Sequence, residues 1–182
     1  PKLYLDGTLL QGTPGMFGSG IVPVFGANVC EALHSSWFSS VQQSLCTIWS
    51  YRYLFDADTP ISASLEMPAN YLVDFEGGSR LLVQETAGIT IRSLAYTGVS
   101  QIISYPDSSY VGPVDLGGVD ALLEWFGGQA GSGFGIDNRA AGKAAFLHGR
   151  IRLLESFYRI GADDSSWSTA KRLRVFGDSG DG

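Results

Sequence analysis

Apolar residues recur at intervals of three and four between positions 29 and 50, which is the spacing of one face of an α-helix. Asn28 stands at the N-cap position, and Glu31 follows three residues later, as in a capping box. The opposite side is polar but nearly uncharged, because it consists mainly of Ser and Gln. The pattern therefore predicts one long helix in the N-terminal half. Its apolar stripe consists of Cys30, Leu33, Trp37, Val41, Leu45 and Ile48.

In the middle of the chain the hydrophobic period falls towards two, which indicates β-strands. Residues 65–75 and 80–85 flank the turn sequence Glu76-Gly77-Gly78-Ser79 and are predicted to form a hairpin. Further strands are expected at 88–96 and 100–106. Because these segments follow one another with short turns, we expect an antiparallel meander.

The first 27 residues predict a hairpin followed by a glycine-rich arm. Residues 3–5 alternate in polarity, Asp6-Gly7 is a turn dipeptide, and Leu9-Leu10 would belong to the returning strand. Residues 11–20 contain four glycines and a proline. We expect this loop to order against a partner.

The C-terminal third predicts helices. Residues 119–126 fit a short amphipathic helix that stops at Gly127-Gly128. A second helix is expected to begin after Asp137 or Asn138, either of which would serve as its N-cap. The alanines that follow favour a helix.

Residues 139–160 have two interpretations. A continuous helix is preferred, and the alternative is that the second half is a strand paired to residues 170–176 across an intervening turn. The chain as a whole predicts an α+β fold, in which an antiparallel sheet is packed by the N-terminal-half helix and by C-terminal helices. Its expected division is a hairpin and arm (1–27), a single α+β domain (28–176) and a flexible tail (177–182).

Composition narrows the functional classes. Of the 182 residues, 45% are hydrophobic and only 16% are charged, with a net charge of −6. An acidic protein lacks the basic surface on which general nucleic-acid binding depends, so we do not expect a nucleic-acid partner. There is no run of about 18 apolar residues and no signal-like leader, so we expect neither a membrane partner nor secretion by a retained signal.

The glycine-rich stretch before Lys143 does not fit a phosphate-binding loop. Asp137 falls where the first glycine of a P-loop is required, and Ala144 replaces the Ser or Thr that would hold magnesium. The dinucleotide-binding pattern fails as well, because Ile136 occupies the third glycine position. We therefore expect a loop leading into a capped helix, and no cofactor.

Metal and catalytic motifs are also missing from the sequence. Only two histidines are present, His34 and His148, and neither has a full set of metal ligands nearby in sequence. Asp56 and Asp58 resemble the start of a calcium loop, but Pro60 and a missing glycine favour a turn. Around no serine is there a Gly-x-Ser-x-Gly elbow. We expect no metal, no catalytic residue and no enzyme.

The leading hypothesis is a structural protein that works by assembly, as a subunit of a homo-oligomeric shell, tube or virion-like particle, in the cytoplasm or the virion. Its partners would be copies of itself and other assembly proteins. Low charge and many aromatics are typical of interface cores. The candidate interface residues are Phe17, Phe25, Trp37, Trp49, Phe134, Arg150 and Trp167.

Two other classes stay open. The first is a module that binds a glycan or another small ligand on an aromatic platform, for which the candidates are Trp37, Trp49, Tyr51, Tyr53, Trp125 and Trp167. The second is an enzyme without a recognisable motif. A deep polar pocket that holds His34 or His148 beside a carboxylate would favour the enzyme.

Overall fold

The computed structural model describes residues 1–9, 12–45, 49–84, 87–105, 111–130 and 138–154, and the backbone of 174–177. Throughout this part of the chain the strands pair in parallel. The chain winds into a β-solenoid-like stack whose coils are about 20–30 residues long. The predicted antiparallel meander is therefore wrong.

The strands are short and the helices few. In chain order the strands are β1 (Lys2–Leu5), β2 (Val22–Phe25), β3 (Ala32–His34), β4 (Tyr51–Phe55), β5 (Thr59–Ile61), β6 (Leu65–Met67), β7 (Tyr71–Phe75), β8 (Leu81–Val83), β9 (Ile89–Ile91), β10 (Ile103–Ser104), β11 (Val114–Asp115), β12 (Ala121–Leu122), β13 (Arg150–Leu153) and β14 (Arg174–Gly177). The helices are α1 (Val41–Ser44) and α2 (Arg139–His148), with 3-10 turns at Ser35–Trp37 and Leu123–Phe126.

Within the described residues the strands form five parallel sheets. β1 pairs with β2, β4 lies between β3 and β7, β8 between β5 and β10, β9 between β6 and β11, and β13 between β12 and β14. From β4 to β12, consecutive strands belong to different sheets. One coil therefore runs through β4, β5 and β6, and the next runs through β7, β8 and β9.

The core is built by stacking equivalent positions of successive coils. Leu33, Tyr53 and Val73 lie opposite one another on β3, β4 and β7, and all three are fully buried. On another face, Leu65 pairs with Ile89, and both are also buried. Because residues alternate between the two sides of a strand, the neighbours of these residues point outward.

The predicted long helix over residues 29–50 is wrong. The segment contains β3, a 3-10 turn and the four-residue helix α1. Asn28 has a left-handed backbone with φ of 58° instead of an N-cap conformation. Ser40 is the residue that caps α1, since its hydroxyl accepts a hydrogen bond of 3.3 Å from the amide of Gln43.

The predicted hairpins are also wrong, although the turn between residues 76 and 79 is present. The amide of Ser79 donates to the carbonyl of Glu76 over 3.0 Å. This turn carries the chain onto the next face, so β7 pairs with β4 and β8 pairs with β5. At the N-terminus, β1 pairs in parallel with β2, and the intervening loop includes Phe17, which is buried in the core.

The preferred continuous helix over residues 139–160 is wrong, and a strand follows the helix, as in the alternative interpretation. The helix α2 ends at Gly149, which takes the left-handed conformation with φ of 85° that ends many helices. The chain then enters β13, which pairs with β14 in parallel instead of as a hairpin. Leu123–Phe126 forms a 3-10 turn in place of the predicted short α-helix, and the proposed cap Asp137 lies outside the described residues.

Candidate functional site

The β1–β2 sheet leaves part of the core uncovered. In the parallel register, Leu3 lies opposite Pro23 and Leu5 lies opposite Phe25. Pro23 and Phe25 are buried, so Leu3 lies on the inward side of the sheet. Nevertheless 43% of Leu3 is exposed. Tyr4, on the outward side, is 65% exposed, and Val22 is exposed as well. We call Leu3, Tyr4 and Val22 the coil end.

The backbone of β1 is also available at the coil end. The amides of Val22 and Gly26 donate to the carbonyls of Pro1 and Leu5, each over 2.9 Å. Because backbone groups alternate in direction along a strand, Tyr4 directs its own N–H and C=O away from β2. No strand in the described part of the chain pairs with that edge. The coil end therefore offers both apolar side chains and strand hydrogen-bonding groups.

A groove of about 410 Å³ lies over the outer face of β3 and β4. Ala32 and His34 on β3 lie opposite Arg52 and Leu54 on β4, and all four side chains line it. Leu54 points outward but is only 8% exposed. Ala32 and Leu54 thus give the groove an apolar floor. Its polar margin includes Glu31, His34, Ser36, Arg52, Asp56 and Glu76; we call this site the β3–β4 groove.

Asp56 organises one side of the groove. One carboxylate oxygen accepts from the Ser35 hydroxyl and the Ser36 amide, both at 2.9 Å, and the other accepts from the Ser36 hydroxyl at 2.6 Å. Burial opposes its negative charge, but the hydrogen bonds from Ser36, Ser35 and His34 outweigh that effect and lower the pKa of Asp56. Asp56 is therefore ionised at neutral pH.

His34 is held in a single orientation by its neighbours. Its Nδ1 lies 3.1 Å from the Asp56 carboxylate, and its ring stacks on Trp37 with centroids 4.7 Å apart. Because an ionised carboxylate only accepts hydrogen bonds, Nδ1 carries the proton. In neutral His34 the Nε2 atom is then a hydrogen-bond acceptor, and it has no protein partner within the described residues.

Arg52 is fixed on the other side of the groove. Its guanidinium donates to Asp74 on the neighbouring strand β7. This hydrogen bond, the charge of Asp74, and the more distant charges of Glu31 and Glu76 raise the pKa of Arg52. The groove is lined by three carboxylates against one guanidinium, so it is acidic overall.

Cys30 also lines the groove, but burial raises the pKa of its thiol to about 11. It is therefore protonated at neutral pH and is a poor nucleophile. Cys46 lies outside the described residues. No group of three or more potential metal ligands occurs in the part of the chain that the structure covers.

The two histidines have different roles. The amide of Leu116 donates to Nδ1 of His148 over 3.2 Å, so Nε2 carries the proton and donates to the carbonyl of Val119 over 2.8 Å. His148 is therefore a buried structural residue that joins the end of α2 to residues 116–119. Only His34 meets the condition of lying beside a carboxylate in a polar pocket.

The candidate interface residues fall into different environments. Phe17 and Phe25 are buried against each other with ring centroids 5.7 Å apart, and Trp37 is 6% exposed. Trp49 is 48% exposed. Arg150 is on β13, where its guanidinium forms an ion pair of 2.7 Å with Asp120 of the same chain. Phe134 and Trp167 lie outside the described residues.

The proposed aromatic platform is mostly internal. Tyr51, Tyr53 and Trp125 are buried, which leaves Trp49 as the exposed member among those that the structure describes. The sequence did not predict Glu31, Arg52, Asp56 or Glu76 as residues of one site. It placed Asp56 in a rejected calcium motif, Glu31 in a capping box and Glu76 in a turn.

No membrane-spanning helix is found in the described ranges, because none of their helices is both long and apolar enough. Comparisons of this chain with protein-family models, with curated proteins and with solved structures find no match.

Proposed function

We propose that this chain is a structural subunit that associates with further copies of itself through the coil end, and so builds a larger particle such as a shell, a tube or a virion component. The observation that carries the proposal is Leu3, an apolar residue on the inward side of β1 that is nevertheless 43% exposed. A solenoid buries its core by stacking neighbouring coils, so a coil without a neighbour leaves apolar surface in water.

A second copy of the chain supplies what the coil end lacks. Strand addition along the free edge of β1 satisfies its backbone groups. The same contact removes Leu3, Tyr4 and Val22 from water, which contributes on the order of 1 kcal/mol for each side chain. If the coil ends of two chains pair with each other, the assembly closes as a dimer. If the coil end of one chain stacks on a different surface of the next chain, further chains can be added and the assembly grows.

The test is native mass, measured by light scattering after size exclusion over a hundredfold range of concentration. We expect masses above the 19.5 kDa of one chain. Leu3→Lys places a charge in the contact and should shift the protein towards the monomer. Leu72→Lys is the matched control, because Leu72 lies on the outer face of β7 and is 45% exposed.

Two results would overturn the proposal. One is a monomer of 19.5 kDa at every concentration. The other is equal association in the Leu3→Lys and Leu72→Lys variants. Thermal unfolding of both variants shows whether each retains its fold, so that loss of association is not confused with loss of structure.

A further inference from the structure

We infer that the β3–β4 groove is a binding site for neutral carbohydrate, of a size that takes a mono- or disaccharide. This inference is independent of the proposed assembly. The volume of about 410 Å³ lies within the range of about 300–1,000 Å³ that is usual for small-ligand sites.

The floor of the groove suits one side of a sugar ring. Ala32 and Leu54 are diagonal neighbours on the outer face of the sheet, since Ala32 lies opposite Arg52 and Leu54 lies opposite His34, and their side chains present only aliphatic carbon. A pyranose ring has a face of C–H groups, which gains free energy when apolar side chains remove it from water. A small residue such as Ala32 leaves room for the ring to approach the sheet.

The margin of the groove suits the hydroxyl groups that surround such a ring. Each hydroxyl both donates and accepts hydrogen bonds. The carboxylates of Glu31 and Glu76 and the Nε2 atom of His34 are acceptors, and the guanidinium of Arg52 is a donor. The groove therefore matches a ligand in which every polar group can both donate and accept a hydrogen bond.

Two of these groups are already ordered in the protein. Asp56 and Trp37 hold the ring of His34, and Asp74 holds the guanidinium of Arg52. Fixing side chains before the ligand arrives reduces the entropy that binding costs. A weakly interacting ligand such as a neutral sugar benefits from such preorganisation.

The charge of the groove selects the class of sugar. Among the described residues that line the groove, three carry a carboxylate and one, Arg52, carries a positive charge. Uronic acids, sialic acids and sugar phosphates would place a further negative charge among these carboxylates, and this repulsion discriminates against them.

The test is saturation-transfer NMR with a library of neutral mono- and disaccharides of glucose, galactose, mannose and N-acetylglucosamine at millimolar concentration. Matched saccharides that contain sialic or uronic acid form the second arm. We expect at least one neutral saccharide to bind and its anionic counterpart to bind at least tenfold more weakly. Titration of the amide resonances of β3 and β4 gives the affinity.

Two variants locate the binding. Arg52→Gln replaces the guanidinium and its five N–H donors with a shorter, neutral amide that has two. This change should weaken binding at least tenfold, whereas Arg92→Gln should leave it unchanged. Arg92 is the matched control, because it is also half-exposed and pairs with a carboxylate, Glu66, from the neighbouring coil at 3.0 Å. Ala32→Leu, which fills the floor without changing a polar group, should abolish binding.

The inference fails if no neutral saccharide binds, if the anionic saccharides bind more tightly, or if Arg52→Gln and Arg92→Gln bind equally well. Light scattering on the same samples reports the particle mass. Loss of sugar binding is thereby separated from loss of assembly.

Discussion

At the scale of single residues, Asp56 connects two coils of the solenoid. It follows β4, and its carboxylate accepts hydrogen bonds from three consecutive residues, His34, Ser35 and Ser36, that follow the core residue Leu33 one coil earlier. Hydrogen bonds to a charged acceptor are stronger than neutral ones, and partial burial increases their effect. Asp56 is thus a structural residue as well as part of the groove.

Replacing Asp56 by Asn should lower the free energy of unfolding by about 2 kcal/mol at pH 7, because the charge-assisted hydrogen bonds are lost. Asp58→Asn is the control. Asp58 pairs with Arg80 at the exposed surface over 2.7 Å, and such pairs contribute about 0–1 kcal/mol. Urea unfolding of the two variants gives the comparison, and equal losses would contradict the role assigned to Asp56.

The lowered pKa of Asp56 makes the free energy of unfolding depend on pH. Since the pKa of Asp56 is lower in the folded protein than its ordinary value of 3.8, its contribution is fully present above that value. The contribution is lost as the pH falls from 3.8 through the lowered pKa of the folded state. The difference in the free energy of unfolding between the wild-type protein and Asp56→Asn should therefore shrink as the pH falls below 3.8. A difference that stays constant down to the pH at which acid unfolds the protein would argue against an ionised Asp56.

The groove could be predicted from the sequence only in part. His34 is notable as one of two histidines, and Asp56 is notable because of its spacing to Asp58. Their pairing depends on the length of a coil, which the sequence does not reveal. Glu31, Arg52 and Glu76 carry no local signal, because isolated charged residues at the surface are common in any soluble protein.

At the scale of elements, the stack depends on close backbone contact between successive coils. Gly112 lies just before β11, against the chain just before β9. A Cβ atom on Gly112 would stand 2.1 Å from the carbonyl oxygen of Ala87. Position 112 therefore has no room for any side chain larger than that of glycine. Gly88, across the contact, has room for a Cβ atom.

Gly112→Ala should lower the free energy of unfolding by about 1–3 kcal/mol, because the two coils must separate to admit the methyl group. Gly88→Ala should change it by less than about 0.5 kcal/mol, since its Cβ would lie 3.4 Å from the nearest atom. Chemical unfolding of both variants checks this. A tolerated Gly112→Ala would mean that the two coils are not packed as the structure has them.

Several strands could be predicted from period-two alternation, among them β7, β8 and β9. Their partners could not be predicted, because parallel and antiparallel strands show the same alternation when one side is buried. The prediction of a long helix over residues 29–50 is wrong for a different reason. Leu33, Trp37 and Val41 are spaced by four, yet they lie on a strand, a 3-10 turn and a helix that each face the same core.

At the scale of the whole molecule, the repeat is structural without being visible in the sequence. Tyr51 lies opposite Tyr71, whereas Ile89 lies opposite Val114, so the coils differ in length. A fixed motif at a fixed period would reveal a solenoid in sequence. Here the loops vary, and only the inward positions of each short strand are constrained to be apolar.

We propose that a second chain covers the coil end, and amide hydrogen exchange at β1 tests this proposal most directly. The amide of Tyr4 points away from β2, so it should exchange rapidly in dilute protein and become protected as the protein associates. The amide of Tyr53, in the middle of β4, should be equally protected in both conditions. Exchange at Tyr4 that is the same at every concentration would contradict the account.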